Sequence, residues 1–202
     1  MIRLLPQNLI NQIAAGEVVE RPASTIKELV ENALDAGATQ IDIAIREGGR
    51  TSIVVRDNGS GMTRDELLLA IQRHATSKLP DDNLFNIKTM GFRGEALPSI
   101  GAISRLKITS KHKQAEEAWE IRVEGGEVRE VCPAVHPQHG TTIEVSDLFF
   151  ATPARLKFLK TASTETSYIV DVVQRLSLAY PSVAFSLKDE RRVICDYKAS
   201  EQ

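Results

Sequence analysis

Among the polar side chains of the stretch KELVENALDAG at residues 27–37, Glu28, Asn32 and Asp35 stand at i, i+4 and i+7. Those intervals put them on one face of a helix, beside a second face made by Ile26, Leu29, Val30 and Ala33. A glutamate and an asparagine one helical turn apart can divide a task. The amide oxygen helps hold Mg²⁺ against phosphates without adding charge, and the carboxylate orients and deprotonates an attacking water. The plainer alternative is a solvated helix face, because charged side chains are mostly exposed.

A second group lies in RDNGSGM, where Asp57 ends an apolar run and Gly59 and Gly61 follow it. A carboxylate buried at the rim of a sheet can accept a hydrogen bond from an exocyclic amine such as that of adenine, while the glycines let a ligand approach the backbone. An ordinary Asp-Asn-Gly turn gives the same letters. A third group, Gly91 and Gly94, precedes a short apolar segment. Free N–H groups and the positive end of a helix dipole attract phosphates there. Lys78 can add a point charge to the same phosphates, or simply be solvated. The pattern matches neither the phosphate loop ending in Gly-Lys-Ser/Thr nor a dinucleotide fingerprint.

The elements that must position these groups follow from periodicity. Pro22 suits a helix start, with Ser24 or Thr25 as candidate N-caps, and Ala36-Gly37-Ala38 suits its stop. Ile41, Ile43 and Ile45 alternate with polar residues, and Gly48-Gly49 separates them from TSIVV, which predicts a β-hairpin running into Asp57. Thr63 with Glu66 three residues on caps a helix over TRDELLLAIQRHA. Residues 77–94 have no clean period, and so long an irregular stretch predicts a functional lid. Beyond it the sequence predicts a short helix in GEALPSIGAI and a strand in SRLKITSK. A hairpin follows across WEIRVE and VREVCPA, then a strand in GTTIEVSDLF, a helix over 165–180 and a last hairpin in VAFSLKDERRVICDY. No repeat or linker divides the chain, so one α+β layer sandwich is expected.

Composition narrows the remaining classes. The chain has 202 residues, 42% of them apolar and 26% charged, with a formal net charge of −2. A chain of this length makes a core without a disulfide or metal staple. Cys132 and Cys195 are far apart and the four histidines do not cluster with them, so no structural zinc is expected. No signal-like segment and no apolar run of spanning length occurs, which predicts a cytoplasmic protein that does not engage a membrane. The balanced charge gives no global argument for nucleic-acid binding.

Taken in order, ELVENALDAGA, RDNGSGM, HATSKL, GFRGEALPSIGAI and HGTTIEVSDLFFATPARLKFL resemble the N-terminal ATPase region of the MutL family of DNA mismatch-repair proteins, within the GHKL ATPase superfamily. The resemblance takes in nearly the whole chain, including IRLLPQNLINQIAAGEVVERPASTIKEL at its start. It implies a two-layer α/β sandwich with a mixed, mostly antiparallel sheet and helices on one face. It implies ATP and Mg²⁺ as cofactors, Glu28 as general base and Asn32 as the Mg²⁺ ligand. Asp57 would bind the adenine amine, with Gly61 and Met62 beside it and Thr142 supporting the pocket through its hydroxyl. Lys78, Arg93, Gly94, Glu95, Ala96 and Leu97 would close over the triphosphate, and Asp35 would be structural.

The resemblance further implies an N-terminal arm over residues 1–20, ahead of an ATPase domain over 21–202, that orders on ATP binding so that two copies form a homodimer. Its apolar Ile2, Leu4, Leu5, Leu9, Ile10 and Ile13 suit either that contact or packing on its own domain. Implied partners are a mismatch-recognition protein of the MutS type and a downstream endonuclease and helicase, in a bacterial cytoplasm and at the nucleoid during repair. DNA would be held mainly through regions beyond this chain, with Arg155, Lys157 and Lys160 as candidates for a partial contact or for a solvated basic face. Family members continue into a second domain, which supplies a further lysine to the γ-phosphate, and a C-terminal dimerisation domain. Their absence here predicts a fragment with weak turnover.

Overall fold

A computed structural model of the chain describes residues 4, 6–73 and 94–200. Helix α1 (Gln7–Val18) comes first, although the sequence reading assigned no helix to the arm. It packs on α4 (Ala96–Ile103), burying Ala15 and, just past its end, Val19. Its outward face leaves Ile10 41% and Ile13 52% exposed.

Helix α2 (Pro22–Asp35) starts three residues earlier than Ser24 as N-cap would allow. Pro22 takes the first helical position, where its missing N–H costs nothing, and Arg21 is the N-cap; Ser24 and Thr25 lie inside the first turn. The end is a Schellman motif: Ala38 N–H donates to Ala33 O at 3.0 Å, and Gly37 N–H, at φ +74°, donates to Leu34 O at 2.9 Å.

The predicted hairpin forms from β1 (Gln40–Arg46) and β2 (Ser52–Asp57), joined by a 3-10 turn at Glu47–Gly49. Helix α3 (Arg64–Ala70) opens with the full capping box of Thr63 and Glu66. After α4 come β3 (Arg105–Lys111), β4 (Ala118–Glu124), β5 (Glu127–Ala134) and β6 (Gly140–Ser146). A single turn, α5 (Pro153–Leu156), leads to α6 (Ala162–Ala179) and the closing hairpin of β7 (Ala184–Lys188) and β8 (Val193–Tyr197).

The eight strands of the described residues join one sheet in the order β5-β4-β3-β6-β2-β1-β7-β8. Among them β1 and β7 alone pair in parallel, so the sheet is mixed and mostly antiparallel as expected. Register sets what each face carries. One face aligns Leu187, Ile43, Val55, Ile143, Ile108 and Ile121 in a single apolar row, and it packs with Leu29, Val30, Ile100, Ile169 and Val173 of the helices into one core. The other face carries Asp42, Arg56, Glu144, Lys107 and Arg122, several of them paired, as in Lys107–Glu144 at 2.6 Å. The clean division follows from the two-residue period of strands, which sends alternate side chains to core and solvent.

Candidate functional site

Asp57 is the last residue of β2 and lies on the helix-facing side of the sheet, where it is only 7% exposed. Burial pushes its carboxyl above the usual range, and the backbone N–H groups of Gly59 and Thr141, with His136 and His139 nearby, pull it partly back. The Gly59 bond is 2.8 Å to Oδ1. An acid kept away from water but given only backbone donors retains lone pairs for a ligand, and an amine is the group that fits them.

The turn after Asp57 is held from every side. Asn58 Oδ1 accepts from Thr39 N–H at 2.8 Å and Gln40 N–H at 2.9 Å, while its own amide donates to Thr39 Oγ1 at 2.8 Å. Ser60 N–H donates to Ala36 O and Ser60 O accepts from Lys113 N–H, both at 2.9 Å. Met62 N–H donates to Ser110 Oγ at 2.8 Å, and His139 Nδ1 lies 2.9 Å from Gly59 O. Gly61 has φ +66°, and a Cβ there would sit 1.9 Å from the Lys111 carbonyl oxygen, so no other residue fits. The Met62 side chain is half-buried against the core.

The Ser60–Ala36 bond joins this turn to the C-terminal end of α2, the helix that carries Glu28, Asn32 and Asp35. All three are half-buried, on the stripe beside the fully buried Ile26, Leu29, Val30 and Ala33, so the polar face is neither core nor open solvent surface. Gly94, at φ +58°, leads into α4, with Glu95 as N-cap and Ala96 and Leu97 in its first turn. Glu95 makes no side-chain cap bond to that turn, whose N–H groups have no partners within the helix. Lys78, Gly91, Arg93 and the body of the expected lid fall outside the described residues.

Thr142 is a correction. Its hydroxyl was expected to support the Asp57 pocket, but Thr142 pairs with Arg56, which puts its side chain on the opposite face of the sheet. There its Oγ1 accepts from Arg56 Nε at 3.3 Å and lies 3.0 Å from His136 Nε2. The residue opposite Asp57 is Thr141, buried and on the same face. A one-residue shift along a strand reverses the face, and Gly-Thr-Thr offers a hydroxyl on both. Thr141, Ser110, Asn58 and His139 are site residues that sequence reasoning missed. Only the Asn58 turn had a local signal, since asparagine commonly bonds neighbouring backbone.

Asn32 suits Mg²⁺ in its chemistry, its amide oxygen being a hard donor. Among the described residues no three His, Cys, Asp or Glu side chains gather into a cage. Of the basic candidates, Arg155 donates to the Gly16 carbonyl and so ties α5 to α1, whereas Lys157 and Lys160 are exposed.

Residues 20–144 match the family described as histidine kinase-, DNA gyrase B- and HSP90-like ATPases. The chain is 61% identical over 198 residues to a DNA mismatch repair protein MutL of Paramagnetospirillum magneticum, covering 98% of the chain and 32% of that protein. It is 62% identical over 191 residues to the MutL of Rhodospirillum rubrum, covering 95% and 30%. The chain thus spans about a third of the length of the curated relatives it matches. Among solved structures it resembles the Aquifex aeolicus MutL ATPase domain complexed with ADP, with a TM-score of 0.77 and 34% identity over 91% of this chain and 66% of that one. It also resembles the N-terminal domain of a DNA repair protein, with a TM-score of 0.80 and 27% identity over 95% and 57%.

Proposed function

This chain belongs to the family of histidine kinase-, DNA gyrase B- and HSP90-like ATPases, and from that premise we propose that it binds ATP with Mg²⁺ and hydrolyses it slowly to ADP and phosphate. The observation that carries the proposal is the buried Asp57 carboxylate, set beside Gly59, Gly61 and Thr141 and linked through Ala36 to the helix bearing Asn32 and Glu28. Asp57 accepts the adenine amine, and the shape of the Gly59–Met62 turn admits the base. The first turn of α4, with Gly94, Glu95, Ala96 and Leu97, offers backbone N–H groups to the triphosphate, and Lys78 and Arg93 add positive charge. Bound Mg²⁺ neutralises phosphate charge. Asn32 would hold it through its amide oxygen, and Glu28 would orient the attacking water and take its proton.

By likeness to the MutL proteins, the whole protein acts in DNA mismatch repair as a clamp that couples mismatch recognition to strand processing. Its partners in that reading are a MutS-type protein, a downstream endonuclease and helicase, and DNA held mainly outside this chain, all in a bacterial cytoplasm. A second reading, in which occupancy rather than turnover signals, gains support from the arm: Leu4 is 98% exposed and Ile10 and Ile13 face outward on α1. A second copy docking there on ATP binding would cover them.

The test is calorimetric titration with a nonhydrolysable ATP analogue plus Mg²⁺, comparing wild type with Asp57→Asn. Saturable binding is expected, weakened about tenfold to a hundredfold in the variant through loss of a hydrogen bond to a charged acceptor. Equal affinity of the two proteins would overturn the adenine pocket.

A further inference from the structure

The rung of the sheet that carries Asp57 continues through Thr141 of β6 to Ser110 of β3, all on the helix-facing side and all buried. Ser110 Oγ has three partners: Met62 N–H at 2.8 Å, Gly140 O at 3.1 Å and Thr141 Oγ1 at 2.9 Å. A hydroxyl owns one proton and two lone pairs. The Met62 amide can only donate and the Gly140 carbonyl can only accept, so the Ser110 proton goes to Gly140. The Thr141 hydroxyl must then donate to Ser110. Its single proton is thereby used, and what Thr141 Oγ1 offers toward Asp57 and the base is lone pairs alone. Asp57, once ionised, also offers only lone pairs.

We propose that Ser110 is a positioning residue that fixes the proton of the Thr141 hydroxyl, so that the base-reading edge presents acceptors only and selects 6-amino over 6-oxo purines. The inference rests on the nucleotide reading above and names a determinant of its specificity. An exocyclic amine brings two N–H donors to such an edge. A 6-oxo group brings a third acceptor against two, leaving buried polar atoms unpaired, which is the arrangement that discriminates most strongly between substrates. Nothing in the strand sequence LKITSK marks Ser110 for this role; the role arises because β3, β6 and the turn after β2 meet at its oxygen.

The experiment measures affinities of the full chain for the β,γ-imido analogues of ATP and ITP, which differ only at the purine 6 and 1 positions. Wild type, Ser110→Ala and, as a control on the opposite face, Thr109→Val are compared. In Ser110→Ala the Thr141 proton is released and can turn to donate to a 6-oxo group. The preference for the ATP analogue should fall by about tenfold, because the ITP analogue gains about one hydrogen bond relative to it. Thr109→Val should keep the wild-type ratio. A Ser110→Ala ratio equal to wild type overturns the inference while leaving the nucleotide site standing. Failure of folded wild type to bind either analogue defeats the nucleotide reading itself, and this inference with it. If Ser110→Ala is too unstable to assay, Thr141→Val removes the oriented oxygen directly and must relax the ratio in the same direction; an unchanged ratio there is equally fatal.

Discussion

Two glycines with nearly the same backbone conformation separate the cost of a left-handed residue from the cost of a close approach. Gly37 has φ +74° and Gly61 has φ +66°, yet a Cβ at Gly37 meets nothing within 4 Å while one at Gly61 falls 1.9 Å from the Lys111 carbonyl oxygen. Alanine at either position incurs the left-handed penalty of about 1–2 kcal/mol. For Gly37→Ala that is the whole effect. For Gly61→Ala the turn must also retreat by about 1.5 Å to reach ordinary contact. The turn is anchored on that side by Lys113 N–H to Ser60 O at 2.9 Å and Met62 N–H to Ser110 Oγ at 2.8 Å. Losing one of these leaves a buried donor or acceptor unpaired for about 1–3 kcal/mol more. Gly61→Ala should therefore cost about 2–5 kcal/mol in all and should also weaken nucleotide binding, because Asp57 moves with the turn. Urea denaturation of the two variants, followed by titration with the ATP analogue, reads both effects. A Gly61→Ala variant no less stable than Gly37→Ala, with wild-type affinity, would refute the argument.

Other consequences can be measured in the same way. Because burial raises the Asp57 carboxyl, the folded state holds that proton to higher pH than the unfolded chain does, and wild-type stability falls as pH rises from the ordinary carboxylate value through the raised one. Asp57→Asn lacks this slope, so without nucleotide it should be at least as stable as wild type at neutral pH, with the gap closing toward acid; a gap that widens on acidification would contradict the burial argument. Glu28→Ala should keep affinity for the ATP analogue and lose turnover, and unchanged turnover would remove Glu28 from the role of base. Thr63→Ala breaks the capping box of α3 and should cost about 1 kcal/mol, a Tm loss of roughly 2–4 °C, without altering nucleotide affinity. Arg155→Ala removes the tie from α5 to the Gly16 carbonyl, and amide exchange in α1 should accelerate about tenfold while the central strands stay protected.

What could be read from residues alone was whatever depends on near neighbours. The β1–β2 hairpin declared itself through Ile41, Ile43 and Ile45 and the glycine pair, and Thr63 with Glu66 marked a cap that the structure contains. The polar stripe of α2 followed from spacing, and its three side chains are half-buried. Pro22 marked the helix start through its fixed φ, whereas neither Ser24 nor Thr25 caps it: with Pro22 in the first helical position both fall inside the first turn. The arm escaped notice as a helix because α1 has no capping side chain, and part of its apolar face is completed only by α4, some eighty residues on. The face of Thr141 and Thr142 was likewise illegible: it depends on how β6 registers against β2, and strand pairing across so many residues leaves no trace in a local window. Ser110 acquires its three partners by that same long-range register.

The bond between Ser60 N–H and the Ala36 carbonyl makes the turn and α2 one rigid piece. From that anchor back to Glu28 is eight residues of helix, or about 12 Å at the usual rise, with Asn32 about halfway. On the proposed function the helix would work as a ruler. A nucleotide seated by its base at Asp57 would be measured along α2, and one with enough phosphates would extend to the mark where Glu28 stands. Counting phosphates then needs no moving part: it is written into the number of helical turns between two contacts, and inserting or deleting one residue between Asn32 and Ala36 would change both the length and the angle of the scale.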